Sequence, residues 1–316
     1  MTTILPSLYD IIGMHLNIKR KLEAINMQIN KHGSFYIRNG WPTKIIGAIT
    51  TDKHIYSPNN ELKAVDTIGV GRVMIKAMRY WATVLGIAEE SKDQFGIVHK
   101  LTDIGEIIMQ NDLYCTDNST LWLLHRNLAI NKEEATAWNW AFNEFNEQQF
   151  DKNSFVEAFY SYIQREGASY AHKAIEKEFD CFKNTYVSDQ AFSLNKIIEE
   201  DTIPFFAPLK LIEYKGHGIF EKRRIPSKEI PEDVFAICIF LDNAEHLKTN
   251  TQISIDKLLE EKGQIGKYMN LNYSTMLELL QKIENEKYIK LINNFGNRYI
   301  EVLDNNVQEL LANHYL

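Results

Sequence analysis

At 316 residues, 45% hydrophobic and 24% charged, the chain has the composition of a globular protein with room for two or three cored domains. A formal net charge of −7 argues against a protein that coats nucleic acid indiscriminately, although an acidic body can carry a local basic face. No stretch reaches the ~18 uninterrupted apolar residues of a membrane span, the N-terminus lacks the basic-then-apolar order of a secretory signal, and the three scattered cysteines read as reduced thiols of a cytoplasmic protein.

Leu8–Ile29 carries apolar residues at helical spacing around Lys19-Arg20-Lys21. That pattern predicts an N-terminal helical arm over residues 1–32, suited to docking elsewhere or to self-association. Residues 33–110 read as a winged helix-turn-helix domain. Pro42–Thr50 and Asn60–Val65 supply two short helices, and Asp66–Gly71, with two glycines, forms the tight corner before a third.

The third helix, Thr67–Ala88, is the most informative segment, because it holds three cations and no acid. At a helical step of about 100° per residue, Arg72, Lys76 and Arg79 fall within roughly 60° of one another and Thr83 joins them. Val70, Met74, Ala77, Met78, Trp81 and Leu85 lie on the other side. One face is apolar enough to bury and the other is purely basic, as expected of a helix laid against phosphates or base edges. An ordinary amphipathic helix with a solvated face is the plainer alternative.

Gly86 can end this helix in a left-handed turn. Glu89–Gln94 is expected as a polar turn, Phe95–Leu101 as a strand, and Thr102 or Asp103 as the cap of a helix through Ile108. The candidate DNA contacts are Arg72, Lys76, Arg79 and Thr83 on the helix, with Lys92 and Lys100 on the wing.

Residues 111–188 form an aromatic-rich block with a helix-turn-helix-like second half. Trp122, Trp138 and Trp140 lie on two predicted helices, where tryptophans beside leucines read as core rather than as platforms for bases. Asp151–Ser154 caps a helix over 155–164, and Ser169 caps a second over 170–186. That second helix mixes Lys173, Lys177 and Lys183 with Glu176, Glu178 and Asp180, a solvated or protein-facing surface.

Residues 189–231 hold four of the seven prolines and read as a connector with short strands, including a hairpin near Gly216-His217-Gly218. Residues 232–316 read as a second winged helix. Helices are expected over 234–242 and 254–261, with a third over 275–286 capped by Ser274, then strands over 288–292 and 298–302 around an Asn/Gly-rich turn. Seven Lys/Arg balance seven Asp/Glu across Ile253–Leu303, which gives that unit little hold on a polyanion.

No catalytic constellation stands out. There is no phosphate-binding G-x-x-x-x-G-K-[ST] and no G-x-S-x-G elbow. Adjacent carboxylates such as Glu133/Glu134 diverge on a helix or strand. Asp180 with Glu176-Lys177 lies on one helix rather than on the strand pair of a nuclease site, and Cys181 beside Phe182 reads as core. No catalytic residue, metal site or cofactor is expected.

Several motifs occur together in fixed order. Phe35–Lys44 is followed by Ile68–Arg72 with Arg79-Tyr80-Trp81, then Leu101–Gly105, Ser119–His125 and Thr136–Asn143. Asp180-Cys181-Phe182, Thr185-Tyr186 and Pro208-Leu209 complete the set. Between Gly33 and Val302 the chain thereby resembles the DUF4007 family of bacterial proteins. It departs at Pro42, where the family commonly has leucine, and at Arg126, where it usually has tryptophan. Genes of that family sit beside relatives of phosphoadenosine phosphosulfate (PAPS) reductase and cysteine desulfurase. The resemblance therefore implies an accessory subunit of DNA phosphorothioation or linked anti-phage defence, with a PAPS-reductase-like sulfurtransferase as partner.

The expected fold is mainly α with small β wings, in tandem winged helix-turn-helix units joined by helical and short-strand connectors. The expected function is a non-enzymatic adaptor that binds double-stranded DNA through a basic ridge clear of internal carboxylates. The alternatives are a scaffold that docks a sulfurtransferase without touching DNA, or a nuclease or transferase with an unrecognised site.

Overall fold

The computed structural model describes residues 27–187, 203–294 and 296–315, so the expected arm, apart from residues 27–32, lies outside the described residues. The described residues are predominantly helical, with three small antiparallel sheets. Helix α1 (Trp41–Thr51) enters from Gly40 at φ 78° with Pro42 in its first turn, and it buries Trp41, Ile45, Ile46 and Ile49. Helix α2 (Glu61–Ile68) closes on Gly69 at φ 73°.

Helix α3 spans Arg72–Val84 and buries Ile75, Ala77, Met78, Trp81, Ala82 and Val84. It starts five residues later than the sequence suggests, because the left-handed Gly69 ends α2 and the extended Gly71 opens the next helix. The Trp81 indole donates to the Phe35 carbonyl at 2.9 Å, fixing the helix in rotation.

Gly86, at φ 66°, leads into β1 (Ala88–Asp93), which pairs antiparallel with β2 (Gly96–Leu101). The run Glu89–Asp93 is therefore a strand and not the polar turn its composition suggests. All six of its register pairs form, and because most of β1 is exposed, no apolar alternation marks it. Helix α4 (Asp103–Asn111) is capped by Thr102, whose hydroxyl accepts from Gly105 N at 3.0 Å and donates to Gly86 O at 2.6 Å. A Cβ at Gly105 would lie 2.1 Å from Ile87 O, so only glycine fits.

The middle block packs α5 (Asn118–Ile130), α6 (Thr136–Asn143), α7 (Lys152–Arg165) and α8 (His172–Tyr186) around an aromatic core. Trp122, Trp138 and Trp140 are at most 4% exposed, which makes them core and removes any stacking role. Asp151 and Ser154 form the expected capping box on α7. Helix α8 begins at His172 behind Ala171, with no side-chain cap, so Ser169 does not open it.

Strand β3 (Gln149–Phe150) joins the hairpin β4 (Ile212–Gly216) and β5 (Ile219–Lys222) in the order β3-β5-β4. The segment expected to be only a connector thus shares a sheet with the middle block.

The C-terminal block comprises α9 (Glu232–Asp242), α10 (Ala244–Leu247), β6 (Gln252–Ser254), α11 (Ile255–Glu260), α12 (Ile265–Tyr268) and α13 (Tyr273–Asn285). Strands β7 (Ile289–Asn294) and β8 (Asn297–Val302) and helix α14 (Val307–His314) follow. The sheet order is β6-β8-β7. Asn272, not Ser274, caps α13 by accepting from Thr275 N at 2.8 Å.

Arg126 of α5 donates from Nε to Asp242 of α9 at 2.6 Å, with the side chains 9% and 0% exposed. The Tyr268 hydroxyl donates to the other Asp242 oxygen at 2.8 Å. His125 Nε2 donates to the Tyr268 carbonyl at 2.9 Å, and its Nδ1 accepts from Tyr186 Oη at 3.0 Å. Burial holds His125 down to about 4, so the ring is neutral, as this pattern of donor and acceptor requires. Burial also pushes Asp242 up to about 6, opposed by Arg126 and Tyr268.

Truncating one partner of such a pair leaves the other charge buried alone. Arg126→Ala should therefore cost about 3–5 kcal/mol in urea unfolding. Arg126→Ala/Asp242→Ala should lose less than the sum of the single variants.

Candidate nucleic-acid interface

Because its apolar residues fill the core, α3 turns Arg72, Lys76 and Arg79 outward. Their side chains are 61%, 74% and 33% exposed. The ridge predicted from the helical period is therefore present, but it does not stand clear of carboxylates. Glu61, at the start of α2, places one oxygen 3.4 Å from Lys76 Nζ and the other 4.0 Å from Arg72 Nε. Glu90 of β1 accepts from both Arg79 Nε and Nη2 at 2.6 Å, a two-pronged pair. Those hydrogen bonds from Arg79 hold the Glu90 carboxyl below its ordinary range. The Thr83 hydroxyl donates to the Tyr80 carbonyl within the helix, at 2.9 Å.

Arg79 and Thr83 are thus engaged internally, whereas among the described residues Arg72 and Lys76 share the single carboxylate of Glu61, at 4.0 and 3.4 Å. Helical periodicity could not reveal this, because Glu61 and Glu90 arrive from neighbouring elements.

Two hollows flank the ridge. One is an open groove of about 740 Å³ where Lys31, Lys76 and Arg79 face Glu89, Glu90 and Glu134. Its charges balance. The other, of about 260 Å³, is lined by Ile55, Tyr56, Pro58 and Ile75 with Lys76 and Arg79 along its edge. Sequence reasoning missed Lys31, which it assigned to the arm, and both partner glutamates. The one available signal was Glu61 in the first turn of a predicted helix.

Lys92 and Lys100 are exposed on the hairpin, and neither is ion-paired among the described residues. Lys92 lies opposite Ile97, and Lys100 opposite Glu89. Strand alternation puts these two pairs on opposite faces of the ribbon. The two lysines expected as wing contacts therefore project from opposite faces of the hairpin.

His99 of β2 is 1% exposed. Its Nε2 lies 3.2 Å from Glu90, yet neither ring nitrogen makes an aligned hydrogen bond. Burial lowers its pKa below the usual 6.5, outweighing the pull of Glu90.

Elsewhere, Asp180 pairs with Lys152 at 2.9 Å across α7 and α8, and Cys181 is buried. Among the described residues no group of three His, Cys, Asp or Glu side chains could hold a metal ion. No helix among them is long and apolar enough to cross a membrane.

A family profile described as "Protein of unknown function (DUF4007)" matches residues 29–315. No curated protein matches the sequence. Two solved structures are similar in fold, "Magnesium ion-bound SspB crystal structure" and "SspB crystal structure". The first has a TM-score of 0.78 at 20% identity, and the second 0.77 at 19%. Each comparison covers 91% of this chain and 88% of the other.

A histidine with a lowered folded pKa binds fewer protons folded than unfolded, so stability is lost as pH falls below 6.5. His99→Phe should flatten that part of the stability profile, measured by urea midpoints between pH 7 and roughly one unit below the histidine range. An unaltered slope would contradict the role given to this ring.

Proposed function

The chain belongs to the DUF4007 family, and we propose that it is a non-enzymatic adaptor that binds double-stranded DNA beside α3. One observation carries this reading. Arg72 and Lys76 are 61% and 74% exposed on a helix whose opposite face is fully packed, so they are presented outward on a rigid support. In this reading residues 33–110 and 232–316 are winged-helix units. The β6-β8-β7 order supports it for the second, because the short strand before α11 pairs with the return strand of the hairpin after α13.

Glu61 does not defeat such binding. Exposed ion pairs are worth at most about 1 kcal/mol, while each phosphate contact also releases condensed counterions from DNA. Arg79 serves here as a strut between α3 and the hairpin rather than as a contact. Lys92 and Lys100, on opposite faces of the wing, would touch the flanking backbone. DNA phosphorothioation or linked defence is the setting that the family resemblance implies, with a PAPS-reductase-like sulfurtransferase as the protein partner. The magnesium ion belongs to the similar protein that holds it, and no step is assigned to a metal here.

A second reading has its own support. The balanced groove beside the ridge, and the 63% and 56% exposure of Leu62 and Val73, suit a protein partner docked without DNA.

Gel-shift titration over a salt series separates the two. Arg72→Ala/Lys76→Ala should weaken binding and reduce the salt slope by roughly one per lost contact. Glu61→Gln should strengthen it. An unchanged slope in the double variant, with sulfurtransferase co-purification lost instead, would favour the scaffold.

A further inference from the structure

We infer a binding site for a small inorganic tetrahedral oxyanion, sulfate or orthophosphate, in the hollow where the β3-β5-β4 sheet meets α11 and α12. No residue of α3 lines it, so it is separate from the proposed DNA face.

The hollow measures about 120 Å³, roughly the space of four waters at about 30 Å³ each. That admits a central atom with four oxygens. Three cations border it: Lys222 at the end of β5, Arg224 two residues on, and Lys267 from α12.

Lys222 is 6% exposed. Its Nζ donates to Ala141 O at 2.6 Å and to Phe145 O, at the C-terminal end of α6, where free carbonyls favour a cation. An ammonium has three donors, so these two bonds leave one proton. They also leave the charge of its ammonium form with no carboxylate at ion-pair distance among the described residues. Arg224 donates from Nη1 to the Leu271 carbonyl at 3.0 Å and likewise has no carboxylate partner among them. Only Lys267 is paired, with Glu260 at 3.2 Å.

Three cations thus surround a polar space that supplies one acid, whereas the groove beside α3 supplies three acids for three cations. A buried charge left without a counter-charge is costly. An anion in this hollow supplies the missing one.

The frame is rigid before any ligand arrives. Asn270, in the left-handed region at φ 50°, donates from Nδ2 to Arg223 O at 2.9 Å. Gln148 Nε2 donates to the Lys222 carbonyl. A Cβ at Gly266 would lie 2.4 Å from Leu259 O, so α12 sits directly on the end of α11. Lys222 and Arg224 are therefore held in place by backbone carbonyls, which lowers the entropic cost of binding.

Burial, with Arg224 and Lys267 nearby, presses Lys222 down to about 7 against the pull of Glu147. Glu260 adds the remaining charge at the rim. An anion would favour the ammonium form, so binding should take up protons near neutrality.

Sulfate titration of the full chain in chloride buffer at constant ionic strength tests the proposal, read by calorimetry and by thermal melting. Wild type should show one saturable site, several-fold tighter at pH 6 than at pH 8, a range in which sulfate itself does not titrate. Arg224→Ala and Lys267→Ala, both at the rim, should keep the fold and weaken sulfate about tenfold or more. Lys222→Met should abolish the pH dependence. Sulfate also stabilises proteins non-specifically, so a non-saturable rise in Tm shared by wild type and both rim variants would overturn the site. Saturable binding that is indifferent to all three substitutions would overturn it equally.

Discussion

The contact between Arg126 and Asp242 decides how the rest of the molecule is arranged. It lies where α5 of the middle block meets α9 of the C-terminal block, and Tyr268 and His125 extend it to α12 and α8. The side chains of Asp242, Tyr268 and His125 are fully buried, so their polar atoms find their partners inside the protein. Helix α9 is buried along Val234–Phe240 and offers the apolar wall on which the network rests. The same network fixes α12, which carries Lys267, while Ala141 and Phe145 at the end of α6 hold Lys222 on the other side of the hollow.

The surface charges obey a different logic. On α3 the cations meet carboxylates contributed by α2 and β1, at distances graded from a tight pair at Arg79 to loose ones at Lys76 and Arg72. The tight pair ties the helix to the hairpin, and the loose pairs leave charge available to a polyanion. In the proposed reading, binding at this face depends on that gradient rather than on the number of basic residues. Around Lys222 the balance runs the other way, since the acids needed to offset the cations were not supplied.

Much of the local architecture was legible. Thr102 and Asp151 were identifiable as caps because a short polar side chain ahead of an apolar-periodic run satisfies the free N–H groups of the first turn. Gly86 marked a helix end, and the three tryptophans read correctly as core. The legible elements share one property: their determinants lie within a few residues of each other. Where a determinant was ambiguous even locally, the reading slipped. Asn272 and Ser274 are both good caps, and Asn272 holds the position. Strand β1 carries almost no apolar residues, so nothing in its sequence distinguishes it from a turn until β2 pairs with it.

By itself the sequence determined the family, most of the longer helices and the C-terminal hairpin, and the amphipathic character of α3, since each follows from residue type and short-range spacing. Only the tertiary structure decided which charges are free. Glu61 reaches Arg72 and Lys76 from 11 and 15 positions away, Glu90 reaches Arg79 from 11, and Asp242 reaches Arg126 from 116. The energy of a charge depends on what lies within a few ångströms of it and on whether water is there too, and the folded chain alone sets both.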